Sequence, residues 1–143
     1  LSDIVEAVCE EQEELNDTVT FEKDIEPDIE ATVDVTMITR MMENLITNAC
    51  KFGGRHIKVG LFRDNGEICI FVRDDGIGIA KEDQPKVWER FWQADSSRTE
   101  NRGGSNGLGL AMVKQIAELH GGEMSLESAP RQGSTFTFRM REA

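Results

Sequence analysis

Ile57-Lys58-Val59-Gly60-Leu61-Phe62-Arg63, then Asp64-Asn65-Gly66, then Glu67-Ile68-Cys69-Ile70-Phe71-Val72-Arg73 is the stretch on which the fold turns. Two alternating runs rich in β-branched and aromatic residues flank an Asn-Gly pair, which favours the left-handed backbone of a two-residue hairpin turn. The segment predicts an antiparallel hairpin. Upstream, a helix starts near Asp34–Thr36 and runs to about Phe52, where Gly53-Gly54 stops it. Earlier still, Val19, Phe21 and Ile25 alternate with polar residues as in a half-buried strand, and an extended piece around Ala31–Val33 is expected to pair with it. A first helix is expected with Ser2 or Asp3 as its cap, Asp3 having Glu6 three residues on, and with Ile4, Val8 and Leu15 as its apolar stripe. Downstream, Asp83–Phe91 reads as a short helix. The polar chain from there to Gly107, rich in Ser, Arg, Asn and Gly, reads as a mobile loop. A third long helix covers Leu108–His120 and ends at Gly121-Gly122, and Met124–Ser128 with Ser134–Arg141 forms a closing hairpin. The order α-β-β-α-β-β-loop-α-β-β predicts an α+β fold. It is a two-layer α/β sandwich, a mixed and mostly antiparallel sheet of about five strands on about three helices.

The chain has 143 residues, the length of one domain, 1–143, that can bury a core without disulfides or structural metal. Hydrophobic residues make up 38% and charged residues 30%, a balance that excludes a disordered tail. The longest apolar run, Ile68–Val72, is far short of the ~20 residues a membrane span needs. No basic-then-apolar leader opens the chain, and a start at Leu1 instead of Met implies a fragment of something longer. The net charge of −11 is localised: residues 1–30 hold twelve acidic side chains against Lys23 alone, and the remainder is balanced. That acidity reads as a solvated helix face or a docking surface for a basic partner. Without a basic stripe, nucleic-acid binding is disfavoured. Cys9, Cys50 and Cys69 have no metal-ligand spacing and read as buried thiols of a reducing compartment.

Four stretches carry chemistry. On the second helix, Asn44, Asn48 and Lys51 fall within about 60° of one another at helical spacing, beside an apolar face of Ile38, Met41, Met42, Leu45 and Ala49. Amide oxygens are hard neutral ligands for Mg²⁺, and lysine meets phosphate as a point charge; the same stripe alone also fits a solvated helix edge. Asp74-Asp75-Gly76-Ile77-Gly78-Ile79 sets a carboxylate beyond a buried strand, with glycines that let a flat ligand approach. An aspartate there accepts a hydrogen bond from the exocyclic amine of adenine, whereas guanine would present a carbonyl; a plain tight turn is the other reading. Gly103-Gly104-Ser105-Asn106-Gly107-Leu108-Gly109-Leu110 runs into a helix, offering N–H groups and a positive dipole end to phosphates. Its spacing matches neither the dinucleotide-binding nor the Walker pattern, and a flexible connection fits it too. Gly133-Ser134-Thr135-Phe136 opens the last strand.

Together these resemble the ATP-binding catalytic domain of sensor histidine kinases, in the superfamily (GHKL, Bergerat fold) that also holds the DNA gyrase, Hsp90 and MutL ATPases. The resemblance runs from Asp3 to Met140: an N box at Asn44–Phe52, glycine boxes at Asp74–Ile79, Gly107–Leu110 and Gly133–Phe136, and an F box at Val87–Trp92. It implies ATP and Mg²⁺ as cofactors. Asn44 and Asn48 would bind the metal and triphosphate, Lys51 would touch phosphate, and Phe52 would stack near the adenine. Asp74 would hold the adenine amine, with Gly76, Gly78 and Ile79 shaping the pocket and Thr135 supporting the base through Asp74 or a water. Gly107, Leu108, Gly109 and Leu110 would close a lid, and Glu43 would help beside the phosphates. Phe52 stands where tyrosine is more usual, and Gln93 where many relatives carry an arginine. A phosphate contact there is then missing or passes to Arg90, Arg98 or Arg102, and Ser105-Asn106 stiffens the lid.

The resemblance further implies that the γ-phosphate goes to a histidine on upstream dimerisation helices, within a homodimer, and then to a response regulator receiver domain. The fragment itself would sit in the cytoplasm without direct membrane contact. His56, after a Gly-Gly turn, and His120, at a helix C-terminus where a partly positive imidazole is favoured, both lack a phosphoacceptor's helical setting. The isolated fragment is therefore not expected to phosphorylate itself. Two other readings stand beside this one: a degenerate nucleotide-sensing or interaction module, which Gln93 and the Ser105-Asn106 lid would allow, and an anti-sigma-factor-type serine kinase of the same superfamily.

Overall fold

The computed structural model describes residues 1–51, 53–89 and 109–141. Its elements are α1 (Ser2–Leu15), β1 (Thr20–Ile25), α2 (Val35–Lys51), β2 (His56–Asp64), β3 (Glu67–Asp74), a 3₁₀ turn (Gln84–Lys86), α3 (Gly109–Leu119), β4 (Glu123–Ser128) and β5 (Ser134–Arg141). The expected two-layer α+β sandwich forms: five strands in the order β1-β2-β3-β5-β4, one face covered by helices. β1 and β2 are parallel and every other pair is antiparallel. A parallel pair needs a crossover, and α2 supplies it.

The central hairpin closes as its turn chemistry dictates. Asn65 (φ 52) and Gly66 (φ 80) both adopt the left-handed region, giving a two-residue loop between Asp64 and Glu67. Alternation then sends Ile57, Val59, Leu61, Ile68, Ile70, Val72, Phe136 and Phe138 into the core, each at most 2% exposed. Across the sheet α2 lays down Ile38, Met41, Met42, Leu45, Ile46 and Ala49. Asp34 caps α2, its Oδ1 accepting the Met37 N–H at 2.9 Å. The other end closes with Gly53 at φ 83, its N–H on the Cys50 carbonyl and the Gly54 N–H on that of Ala49, both at 3.1 Å.

Four expectations are corrected. Neither Ser2 nor Asp3 caps α1: the cap position is Leu1, without a side-chain cap. The Ser2 hydroxyl is taken by tertiary bonds, donating to the Glu26 carbonyl and accepting the Ile29 N–H, both at 2.8 Å. The buried stripe of α1 is Val5, Val8, Cys9 and Gln12, while Leu15 is 68% exposed. Asn16 folds back onto the Gln12 carbonyl there and ends the helix before Leu15 can reach the core. Ala31–Val33 forms no strand: β1 pairs with β2, and the chain between β1 and α2 instead tucks Ile29 into the core. Within Asp83–Phe91 the described residues form only the 3₁₀ turn; Arg90, Phe91 and the loop expected up to Gly107 lie outside them.

His120 stands at the end of α3, where it is expected. Its Nε2 accepts the Asp34 N–H at 3.0 Å and its Nδ1 lies 2.8 Å from the Ile116 carbonyl, which ties the end of α3 to the cap of α2. The cysteines are free thiols, Cys9 and Cys69 buried and Cys50 half-buried; burial pushes the Cys9 thiol up to about 12. No helix among the described residues is long and apolar enough to cross a membrane.

Candidate functional site

The polar stripe of α2 faces the start of α3. Asn44 is oriented by its own helix: Nδ2 donates to the Arg40 carbonyl at 2.8 Å, and Oδ1 has no hydrogen bond among the described residues. That oxygen points at the first residue of α3, since a Cβ on Gly109 would sit 3.0 Å from it. One turn along α2, Asn48 Nδ2 is buried with no hydrogen-bond partner among the described residues. A buried donor without an acceptor costs ~1–3 kcal/mol, so Asn48 holds a place for an incoming oxygen. Lys51, in the last turn, has its pKa lowered by burial and forms no ion pair among the described residues. Glu43 is half-buried beside Asn44 without a hydrogen bond of its own among them. Asn44 thus meets the N-terminus of α3, and at helical spacing Asn48 and Lys51 follow it along the same stripe of α2, residue types suited to a polyanion with a hard cation.

At the other end stands Asp74, 4% exposed on the helix-covered face. Burial raises its pKa, the Gly76 and Ser134 N–H groups pull it back, and the neighbouring Asp75 carboxylate raises it further. The Gly76 N–H reaches Oδ1 at 2.8 Å. Asp75 points the other way: Oδ1 accepts the Arg55 and His56 N–H groups at 2.7 and 3.0 Å. Those bonds, His56 first, hold its carboxyl below the usual range. Asp75 therefore pins the start of β2 and leaves Asp74 as the carboxylate available inside. The Cys50 thiol, raised first by burial and then by the Asp74 charge, lies on the same side.

Two glycines here admit close backbone approaches. Gly78 has φ 74, and a Cβ would meet the Ala129 carbonyl oxygen at 1.9 Å, so the backbone it admits is that of the β4–β5 turn. Gly133 (φ 75) leaves the same tight clearance, 1.9 Å, to the Asp74 carbonyl. Ile79 is 3% exposed and Leu110 6%, both part of the core. Thr135 follows on the uncovered face of the sheet, where its hydroxyl accepts from Arg73 Nε at 3.3 Å. The residue beside Asp74 is Ser134, its ladder partner. Period two could have found it, since Phe136 must face the core and Ser134 shares its side. Ser128 and Gln84, which tie Ile79 to the β4–β5 turn, carried no motif signal. Phe52, Arg90, Gln93, Gly107 and Leu108 lie outside the described residues. Of the F box, Val87 is 1% exposed and Trp88 packs edge-on against Phe136, ring centroids 5.7 Å apart.

A groove of about 750 Å³ opens beside the Asp74 bend, lined by Lys58, Arg73, Asp74, Ser128, Ser134 and Thr135 among others. Asn44, Asn48 and Lys51 do not line it. No cluster of three or more His, Cys, Asp or Glu suited to a metal occurs among the described residues.

Residues 33–143 match the family model described as histidine kinase-, DNA gyrase B-, and HSP90-like ATPase. The chain belongs to this ATPase family. Within it, the similar proteins are sensor histidine kinases. Signal transduction histidine-protein kinase AfsQ2 of Streptomyces coelicolor is 43% identical over 100 residues, 70% of this chain and 18% of that protein. Sensor histidine kinase YkoH of Bacillus subtilis is 41% identical over 103 residues, 72% of this chain and 22% of that one. The chain thus spans about a fifth of the length of these relatives. Among solved structures, the mycobacterial sensor histidine kinase MprB superposes with a TM-score of 0.84 at 25% identity, covering 97% of this chain and 93% of that one. The catalytic domain of histidine kinase ThkA gives 0.84 at 24% identity, covering 99% and 92%, a likeness of fold. The ATPase-family chain described here is accordingly an ATP-binding catalytic domain of the histidine kinase type.

Proposed function

We propose that this domain binds Mg·ATP between α2, the start of α3 and the Asp74 bend, and presents the γ-phosphate to a histidine on separate dimerisation helices. The observation that carries the reading is the buried Asn48 amide, without a partner among the described residues, one turn along α2 from the Asn44 oxygen that meets the start of α3. Asn44 and Asn48 would hold the cation and Lys51 a phosphate, and the N–H groups opening α3 at Gly109 would take further phosphate oxygens. Mg²⁺, when bound, neutralises charge on the phosphates. Asp74 would accept the adenine amine, with Gly76 and Ser134 holding its carboxylate in place. Roles for Phe52, Arg90, Gln93, Gly107 and Leu108 rest on the family resemblance.

Phosphoryl transfer asks a protein chiefly for positioning and charge stabilisation, so these residues need only hold the nucleotide while the acceptor arrives from elsewhere. Neither described histidine suits that part. His120 uses both ring nitrogens in hydrogen bonds, and the backbone of His56 is pinned by Asp75 at the start of β2. The partners would be the parent's own dimerisation helices and a receiver domain. Titration with Mg·ATP, followed by calorimetry or Trp fluorescence, should show saturable binding with no radiolabel transferred to the fragment. Joining it to parent helices that carry an acceptor histidine should restore labelling. An absence of binding up to millimolar nucleotide refutes the proposal.

A further inference from the structure

The bend from Asp74 to Ile79 does not hang on its own strand alone. At the end of β4, Ser128 Oγ accepts the Ile79 N–H at 2.8 Å, and lies 2.8 Å from the Gly133 carbonyl and 2.8 Å from Ser134 Oγ. A serine has one proton and two lone pairs. The Gly133 carbonyl can only accept, so the Ser128 proton goes there. Its lone pairs then receive the Ile79 N–H and the Ser134 hydroxyl proton. That accounting fixes the Ser134 hydroxyl: its proton is committed to Ser128 and withheld from Asp74, which stands directly opposite in the β3–β5 ladder. Gln84 completes the arrangement, Nε2 donating to the Ile79 carbonyl at 3.0 Å and the Ser128 carbonyl at 2.8 Å. The Arg131 N–H on the Ile77 carbonyl at 2.6 Å fastens the middle of the bend to the same turn.

We infer that Ser128, clamped by Gln84, is a positioning residue that keeps the Asp74 carboxylate free for the base, and so sets the preference for a purine carrying an amine over one carrying a carbonyl. The inference rests on the proposed reading of Asp74 as the adenine acceptor. Removing the Ser128 hydroxyl strands the Ile79 N–H and releases the Ser134 proton to its buried carboxylate neighbour. A carboxylate so engaged is a poorer acceptor for the exocyclic amine.

The test compares ATP with inosine triphosphate, which differs in the group Asp74 would read, by calorimetry on the whole chain. Ser128→Ala should weaken ATP by roughly tenfold while leaving inosine triphosphate within about twofold. Ser128→Thr should restore the wild-type ratio, and adding Ser134→Ala to Ser128→Ala should recover part of it by removing the released proton. An equal loss for both nucleotides, or no loss, overturns the inference and leaves Ser128 a purely structural residue. Where Ser128→Ala does not fold, Gln84→Ala is read the same way: a ratio narrowed about threefold supports the inference, and an unchanged ratio overturns it. Asp74→Asn is the control. If it leaves the ratio untouched, the reading of Asp74 falls and this inference with it; if it collapses the ratio while the Ser128 variants do not, this inference alone fails.

Discussion

Replacing Asp74 by Asn should separate affinity from stability, with opposite signs. The wild-type carboxylate has acceptor capacity to spare: it takes the Gly76 N–H at 2.8 Å and the Ser134 N–H, and can still accept from a base. Asparagine has a single oxygen, already claimed by those donors, so its amide N–H₂ would meet the adenine amine donor to donor. A hydrogen bond to a charged group is worth ~1.5–3 kcal/mol, which puts the loss of ATP affinity between about tenfold and 150-fold. Stability runs the other way. Burial raises the Asp74 pKa above its ordinary value of 3.8, so the folded state holds its proton more tightly than the unfolded chain. Wild-type stability therefore falls as pH climbs from 3.8 through the raised value, and the penalty persists at neutral pH. Asn carries no such penalty. The stability of the variant relative to wild type should be most favourable at neutral pH and should decline as pH falls toward 3.8. Calorimetric titration with Mg·ATP and urea melts from acid to neutral pH read the two effects. Unchanged affinity, or a relative stability that improves on acidification, would refute the reasoning.

Asn48→Leu replaces the orphaned amide by an apolar group of the same heavy-atom branching; the free domain should be as stable or about 1 kcal/mol more so, while calorimetry with Mg·ATP shows binding lost. Gly109→Ala puts a methyl 3.0 Å from Asn44 Oδ1, so ATP affinity should drop several-fold although Ala favours the helix by ~0.5–1 kcal/mol; undiminished affinity would count against a ligand between α2 and α3. Gly78→Ala meets both a left-handed backbone and the Ala129 carbonyl at 1.9 Å, and should cost more than about 2 kcal/mol in denaturant melts.

The elements with strong local chemistry were legible: the Asn65-Gly66 turn, the Asp34 cap and Gly53-Gly54 stop of α2, and the closing hairpin all follow from residue type. What failed depended on distant partners. Ser2 carries a helix-cap signature, yet its hydroxyl is taken by Glu26 and Ile29, 24 and 27 residues away. Ala31–Val33 has strand composition but forms no strand: β1 takes β2, 31 or more residues further along the chain, as its partner. At the site, the α2 stripe and Asp74 stood out as polar groups beside apolar periodicity. Ser134 was missed in favour of Thr135 although alternation alone separates them, whereas Ser128 and Gln84 act through bonds 49 and 44 residues long in sequence, which no local pattern announces.

That long reach has a consequence for biosynthesis. On a chain emerging from the ribosome, α2 and the Asp74 bend come out before the groups that shape the bend, Ser128 through Ser134. Until the final hairpin docks, the pocket lacks one wall. A chain cut ahead of Ser128 would keep α2 and the bend yet lose the bonds that shape it, so it should take up Mg·ATP less well than the whole domain.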